Sequence, residues 1–380
     1  MNAYDKVEAA FLPSGTPECA AVICYENIFF RDHWKTLTDK PWWSRVSPSL
    51  DERLAWYRDF IARTGLDWLH LPVFYSREER RHLSIVCQPD GVYKINRLTG
   101  QSERLEEYGL IGSSSDDSKP VHPEHAAETP DEIDALVPVV DYFDPAAFLA
   151  EGRNDMAARL LEEYGGAIYP YFRVPSPFWG CYELWGFEEM MIRTVTRPEL
   201  VDYACKRFLT NSIQRAQKAS LLGAAAIFIE EAMTDMISPE SFRALNLPVL
   251  RQLVDEIRRL GMKSIYYYCG NPAGKWSCIL DAGADALSFE EGKKGFDIDI
   301  EDIAERIGGA RTILGNLDAI GVLQNGTEME LRAEIFRQLE AGRRNKNRFI
   351  MSLGSPVTPG TPVERLRLYC DMVHEMGKRW

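Results

Sequence analysis

The feature that most restricts the fold is a regular alternation, from residue 167 onward, of short apolar runs with longer amphipathic stretches. The runs AIYPYF (167–172), AAAIFI (224–229), SIYYY (264–268), ALSF (286–289), TILGNL (312–317) and FIMSLG (349–354) read as buried strands. Residues 198–222, 239–260, 300–307, 328–341 and 362–376 carry apolar side chains at three- and four-residue spacing, the pattern of packed helices. One step is compact enough to show the unit. In 263–291, KSIYYYCGNPAGKWSCILDAGADALSFEE, a strand breaks at Cys269-Gly270-Asn271-Pro272, a helix is expected over 273–282, Gly283 punctuates it, and the next strand closes on Glu290 and Glu291. Two earlier β-rich runs, 18–30 and 67–74, bring the count to eight. Eight strand–helix units are the count of an α/β TIM (β/α)8 barrel.

The rest of the first half decorates that barrel. Ser49 is placed as the N-cap of a helix stopped by Gly65, and an extension precedes it. Residues 83–105, with Pro-Asp-Gly and Leu-Thr-Gly turn signals between short alternating runs, read as a β-hairpin insertion. Residues 112–132 are polar and proline-containing, as expected of an exposed linker. The whole of 1–380 is thus one barrel domain with an excursion over about 76–135. His122 and His125 sit in that linker; with no cysteine near them, they read as solvated side chains.

Composition removes several classes of function. A net charge of −13 with no basic block argues against a nucleic-acid groove. No apolar run reaches membrane-span length, and residues 1–11 lack the basic start and apolar core of a signal peptide, so the expected location is the cytoplasm. The eight cysteines contain no CxxC pair and fit reduced, packed thiols. A homodimer stays open.

In a parallel barrel the residues just after the strands face the site. Here those ends carry Glu230-Glu231, Cys269, Glu290-Glu291, Asn316 with Asp318, and Ser355. Neighbouring glutamates on a regular strand point to opposite faces, so Glu230 and Glu290 are assigned to the rim and their neighbours to the surface. A carboxylate among Tyr266, Tyr267, Tyr268, Phe289 and Met233 would be desolvated, its pKa raised, and it would serve as a general acid. Cys269 is a candidate metal ligand, although packing is the plainer account. Arg31, His33 and His70 near the first strands could bind an anion or be paired structural groups. The aromatic run 167–186, AIYPYFRVPSPFWGCYELWG, includes Tyr169, Tyr171, Phe172, Phe178, Trp179, Tyr182 and Trp185, and reads as a loop-rich stretch in which Pro175 and Pro177 rule out a regular helix. Such a wall would suit a flat apolar substrate, unless the rings seal the barrel against a helix.

At these residues the chain resembles the uroporphyrinogen decarboxylase superfamily, in particular its corrinoid-dependent methyltransferase branch. The resemblance lies in ordered blocks: VPSPFWGCYELWGFEEMM, RPELVDYACKRF, EEAMTDMISPESFRALNLPVLRQLVDEIRRLG, the YYYCGN loop, AGADALSFEEGKKGFDIDI, ILGNLDAIGVLQNGT and FIMSLGSPVTPGTPVERLR. It implies a TIM barrel with its site at the C-terminal rim. Decarboxylating members carry an arginine-rich N-terminal segment followed by an aspartate, which FFRDHWKTLTDKPWW does not reproduce. The CQPDGVYKINRLTGQ hairpin and the EEGKKGFDIDI block resemble instead methyltransferases that demethylate methoxylated compounds. Thiol-activating relatives bind zinc through a His-x-Cys pair and a later cysteine. The matching positions here are Tyr267, Cys269 and Ser355, which makes zinc doubtful and coenzyme M an unfavoured acceptor.

What the resemblance implies is methyl transfer from a methoxylated, aryl methyl ether substrate to the cobalt of a corrinoid (cobalamin) carried by a partner protein, since no DxHxxG corrinoid motif occurs in the chain. Phenolate is a poor leaving group, so Glu230, Tyr267, Glu290 or a metal at Cys269 would assist at the ether oxygen. His70, Tyr171, Phe172, Phe178, Trp179, Asn316 and Ser355 would line the substrate. The alternative is a lyase decarboxylating a tetrapyrrole or smaller acid.

Overall fold

The structure, a computed structural model, describes residues 1–107, 123, 126–140, 142–292 and 295–378. His122 and His125 lie outside the described residues. Within them, ten strands form two sheets: β1 (Trp68–His70), β2 (Leu83–Gln88), β3 (Gly91–Asn96), β4 (Ser102–Leu105), β5 (Tyr169–Pro175), β6 (Ala226–Glu231), β7 (Lys263–Tyr268), β8 (Ala286–Phe289), β9 (Thr312–Leu314) and β10 (Phe349–Ile350). β1 and β5 to β10 pair in parallel in chain order. The sheet closes through the extended segment around Ala21, which bridges Met351 in parallel and accepts the Asp67 N–H at 2.9 Å. The result is a TIM barrel.

That closing segment corrects the expected strand over 18–30. Its second half is the helix Glu26–Leu37, because Phe29, Phe30, His33 and Leu37 recur at helical spacing and are buried together. Arg31 pairs with Asp32 at 2.8 Å, and His33 Nε2 lies 3.4 Å from the Thr358 carbonyl, so both serve the packing of this helix. The Ser49 cap and the Gly65 stop stand where expected, around the helix Leu50–Thr64. The 83–105 excursion is a three-stranded antiparallel meander, β2-β3-β4. The helix expected over 273–282 is shorter, Trp276–Asp281.

A larger correction concerns the aromatic run. Pro177 does not forbid a helix; it begins the helical run Pro177–Thr196, which is broken at Gly186 (φ +66°), with Ser176 as N-cap accepting the Trp179 N–H at 3.0 Å. Proline at the first helical position loses no hydrogen bond. Phe178 is thereby turned into the layer between sheet and helices and is fully buried.

Strand alternation divides the core in two. Trp68, Tyr171, Phe228, Ile265, Tyr267 and Leu314 fill the barrel, while Tyr266, Tyr268, Leu287 and Phe289 face the helices. The N-terminal extension is the helix Ala3–Phe11, whose Val7, Ala10 and Phe11 join the barrel cluster and plug one end. The other end, where the strands finish, is left for polar groups. No helix among the described residues is long and apolar enough to cross a membrane.

Candidate active site

Successive strand ends deliver Glu26, His70, Arg173, Glu230, Cys269, Glu290 and Asn316 to one rim. Arg173 follows Tyr169 and Tyr171 on the inward face of β5; Glu230 follows Phe228 on β6. Arg173 Nη1 donates to Glu230 Oε1 at 3.2 Å, and the guanidinium carbon lies 5.4 Å from the centre of the Tyr25 ring. Burial raises the Glu230 pKa, and Arg173 opposes the rise. Arg173 Nε is buried without a hydrogen-bond partner.

Glu26, at the mouth of the closing segment, is buried and accepts the His70 N–H at 2.7 Å and the Tyr171 hydroxyl. Its pKa is raised by burial, against the hydrogen bond from Tyr171. His70 stacks on Phe172 with ring centres 4.9 Å apart, and its pKa is held well below the usual value by burial and then by Arg173. It is neutral at pH 7. A cavity of about 550 Å³ opens beside these groups, with His70, Phe172, Arg173 and Glu230 in its wall.

Tyr267 stacks on Phe228 at 5.5 Å and meets Tyr25 edge-on at 6.0 Å. Its hydroxyl donates to the Gly354 carbonyl at 2.9 Å, which brings it beside Ser355, and burial pushes its pKa well up. Cys269 is half-buried two residues further along β7's direction. Glu290 accepts the Gly270 N–H at 2.9 Å, and Asn316 Nδ2 donates to the Glu290 carbonyl at 3.2 Å.

The glutamate pairs do not divide into rim and surface. Glu231 is fully buried behind the barrel, accepting from Ser176 Oγ at 2.7 Å, Asn246 Nδ2 at 2.8 Å and Tyr266 at 3.3 Å. The desolvated environment expected for Glu230 is shared by its neighbour: burial lifts Glu231 to about 7. Glu291 is buried as well, and its Oε2 accepts from Ser355 at 2.8 Å. Alternation fails there because β8 ends at Phe289, one residue before the pair.

The proposed aromatic wall is split. Tyr171 is inside the barrel and committed to Glu26, Tyr169 reaches Glu8 at 2.6 Å, and Phe172 lines the cavity. Phe178 has no exposed surface and cannot touch a ligand. Trp179 is half-buried in the first turn of its helix. Tyr182 and Trp185 border a separate cleft of about 760 Å³ with Phe187 and Met233.

The donor set does not fit zinc. Among the described residues no group of three His, Cys, Asp or Glu side chains is placed to hold a metal ion, and Tyr267 and Ser355 spend their hydroxyl protons on Gly354 and Glu291. Sequence reasoning missed Glu26, hidden inside a supposed strand, and Arg173, whose place two residues after Tyr171 was the available signal.

Residues 105–376 match the family model "Uroporphyrinogen decarboxylase (URO-D)". The chain belongs to the uroporphyrinogen decarboxylase family. Within it, similarity runs to both kinds of member. A uroporphyrinogen decarboxylase of Desulfotalea psychrophila is 26% identical over 249 residues, 64% of this chain and 69% of that protein. A methylcobamide:CoM methyltransferase of Methanosarcina mazei is 27% identical over 142 residues, 37% of this chain and 39% of that protein. Among solved structures, a methyltransferase from Methanosarcina mazei superposes over 99% of both chains with a TM-score of 0.62 at 18% identity, which carries the fold.

Proposed function

We propose that this uroporphyrinogen decarboxylase family member transfers a methyl group from an aryl methyl ether to a corrinoid protein. The observation that carries the reading is the Arg173–Glu230 pair at the barrel mouth. When the ether C–O bond breaks, charge develops on the phenolic oxygen. Arg173 is suited to stabilise that charge, and Glu230, its acid form favoured by burial, to deliver the proton. The corrinoid, held by its own protein, would supply the nucleophilic cobalt that accepts the methyl group. Phe148 and Phe172, in the wall of the cavity beside this pair, offer the apolar surface on which an aromatic ring can rest.

Support also comes from the methylcobamide-using relative, though it covers little of the chain. Tyr267 is a weaker proton donor in this scheme than Glu230, because its hydroxyl already serves Gly354 and burial lowers its acidity. Glu290, bound to the Gly270 amide, is assigned to holding the loop that carries Cys269.

One feature favours a second reading: the 550 Å³ cavity is lined by several basic residues, as a decarboxylase of an organic acid requires. Product analysis separates the two. Incubation with cob(I)alamin and a panel of methoxylated aromatics should yield the demethylated phenol and methylcobalamin; release of carbon dioxide from an aromatic or tetrapyrrole acid, with no methylcobalamin, would establish the lyase instead.

A further inference from the structure

Basic side chains are gathered around this cavity to an extent the chain as a whole does not suggest. The protein carries a net charge of −13, yet Arg153, Arg173, Arg215 and Lys218 line one cavity in which Glu230 is the single lining carboxylate. These residues come from four places: the turn before the helix Asp155–Tyr164, the end of β5, and two successive turns of the helix Pro198–Leu222.

Two of the four are already paired. Arg153 contacts Glu79 at 3.0 Å and Glu151 at 2.8 Å, and Arg173 contacts Glu230. The other two are not: among the described residues, neither Arg215 nor Lys218 forms an ion pair, and Lys218 Nζ lies 5.7 Å from the centre of the Phe143 ring. Arg173 Nε, buried and without a partner, adds an unused donor to the same wall. His70 is neutral and contributes no charge. The remaining lining, Val73, Phe148 and Phe172, is apolar. Crowded cations repel one another: the Lys218 pKa is lowered by burial and then by Arg215 and Arg153, while Glu230 is the one carboxylate in the wall and feels Arg215 as well as Arg173.

We propose that this cavity is an anion subsite that takes the carboxylate or phosphate group of a ring-bearing ligand, with Arg215 and Lys218 as the recognising charges. An anion relieves the repulsion, arginine offers it a two-pronged donor, and Phe148 and Phe172 cover the attached ring. A volume of about 550 Å³ suits a substituted single ring. The inference deepens the methyl-transfer reading, because it makes the methyl donor a methoxylated aromatic acid or ester of phosphoric acid, not a neutral ether.

The test needs no corrinoid and no turnover. Calorimetric titration of the full chain with benzoate, phenyl phosphate and neutral benzamide should show binding of at least one anion, weakened by added salt, and none of benzamide. Which anion binds tells carboxylate from phosphate. The double variant R215Q/K218M should lose at least tenfold in affinity, while R215K/K218R, which keeps both charges, should stay within threefold of the parent. Arg215 is exposed and Lys218 half-buried, so both variants are expected to fold. Equal binding of benzamide, no binding of either anion, or unchanged affinity in R215Q/K218M would overturn the subsite. Binding as expected from a protein that forms no methylcobalamin would sink the methyl-transfer reading and leave the subsite standing.

Discussion

Arg173 Nη1 lies 3.2 Å from Glu230 Oε1, joining the ends of two adjacent barrel strands by a hydrogen bond whose members are both largely withdrawn from water. A pair of this kind can hold a proton donor and a charge stabiliser at one oxygen, which neither residue could do alone.

Replacing the donor therefore has a specific signature. E230Q should lower methyl transfer from an unactivated methoxybenzoate about 100-fold or more, the usual scale for loss of a general acid. An ether bearing a nitro group para to the oxygen leaves without protonation and should lose far less. Steady-state rates on the two donors check this; equal losses would mean that Glu230 acts through structure alone.

The buried Glu231 makes stability depend on pH. Its pKa is raised from 4.5 to about 7 in the folded protein, so the folded state holds the proton more tightly than the unfolded chain. The contribution is full below pH 4.5, declines as pH rises, and is exhausted above about 7, a loss of about 3 kcal/mol from this group. E231Q should flatten the fall in melting temperature between pH 5 and pH 8. A variant with the parent's full pH dependence would assign that dependence elsewhere.

Tyr171 and Glu26 form another buried contact, one that shapes the rim next to His70. Y171F keeps the ring, stacked on Trp68 at 4.1 Å, but takes a donor from an enclosed carboxylate. Urea denaturation should show a loss of about 1 to 3 kcal/mol.

Gly270 holds the loop after β7 in a conformation that side chains resist. Its φ is +100°, and an added Cβ would lie 2.3 Å from Asp235 Cγ. G270A should cost about 2 kcal/mol or more in thermal or urea unfolding and disturb the amide that Glu290 accepts. Asp235→Gly in the same chain should recover part of that loss by removing the clash.

The barrel was legible because its signals are local. Apolar runs with period two, helices with period near four, Ser49 before one helix and Gly65 after it each depend on a few neighbouring residues. The site was legible only as a list of strand ends. Glu230, Cys269, Glu290 and Asn316 could be named from where strands stop, but Glu231 was sent to the surface although three donors enclose it. Glu26 was absorbed into a strand, since the chain's change to a helix at that residue is decided by what Phe29 and Phe30 pack against.

The sequence by itself determined that strands and helices alternate and which side chains stand near their ends, because hydrophobic period and capping act within a few residues. Tertiary structure alone decided which of those side chains share a cavity. Arg153, Arg173, Arg215 and Lys218 are far apart along the chain, and their convergence, like the pairing of Arg173 with Glu230, arises from barrel closure and long-range packing, on which local periodicity is silent.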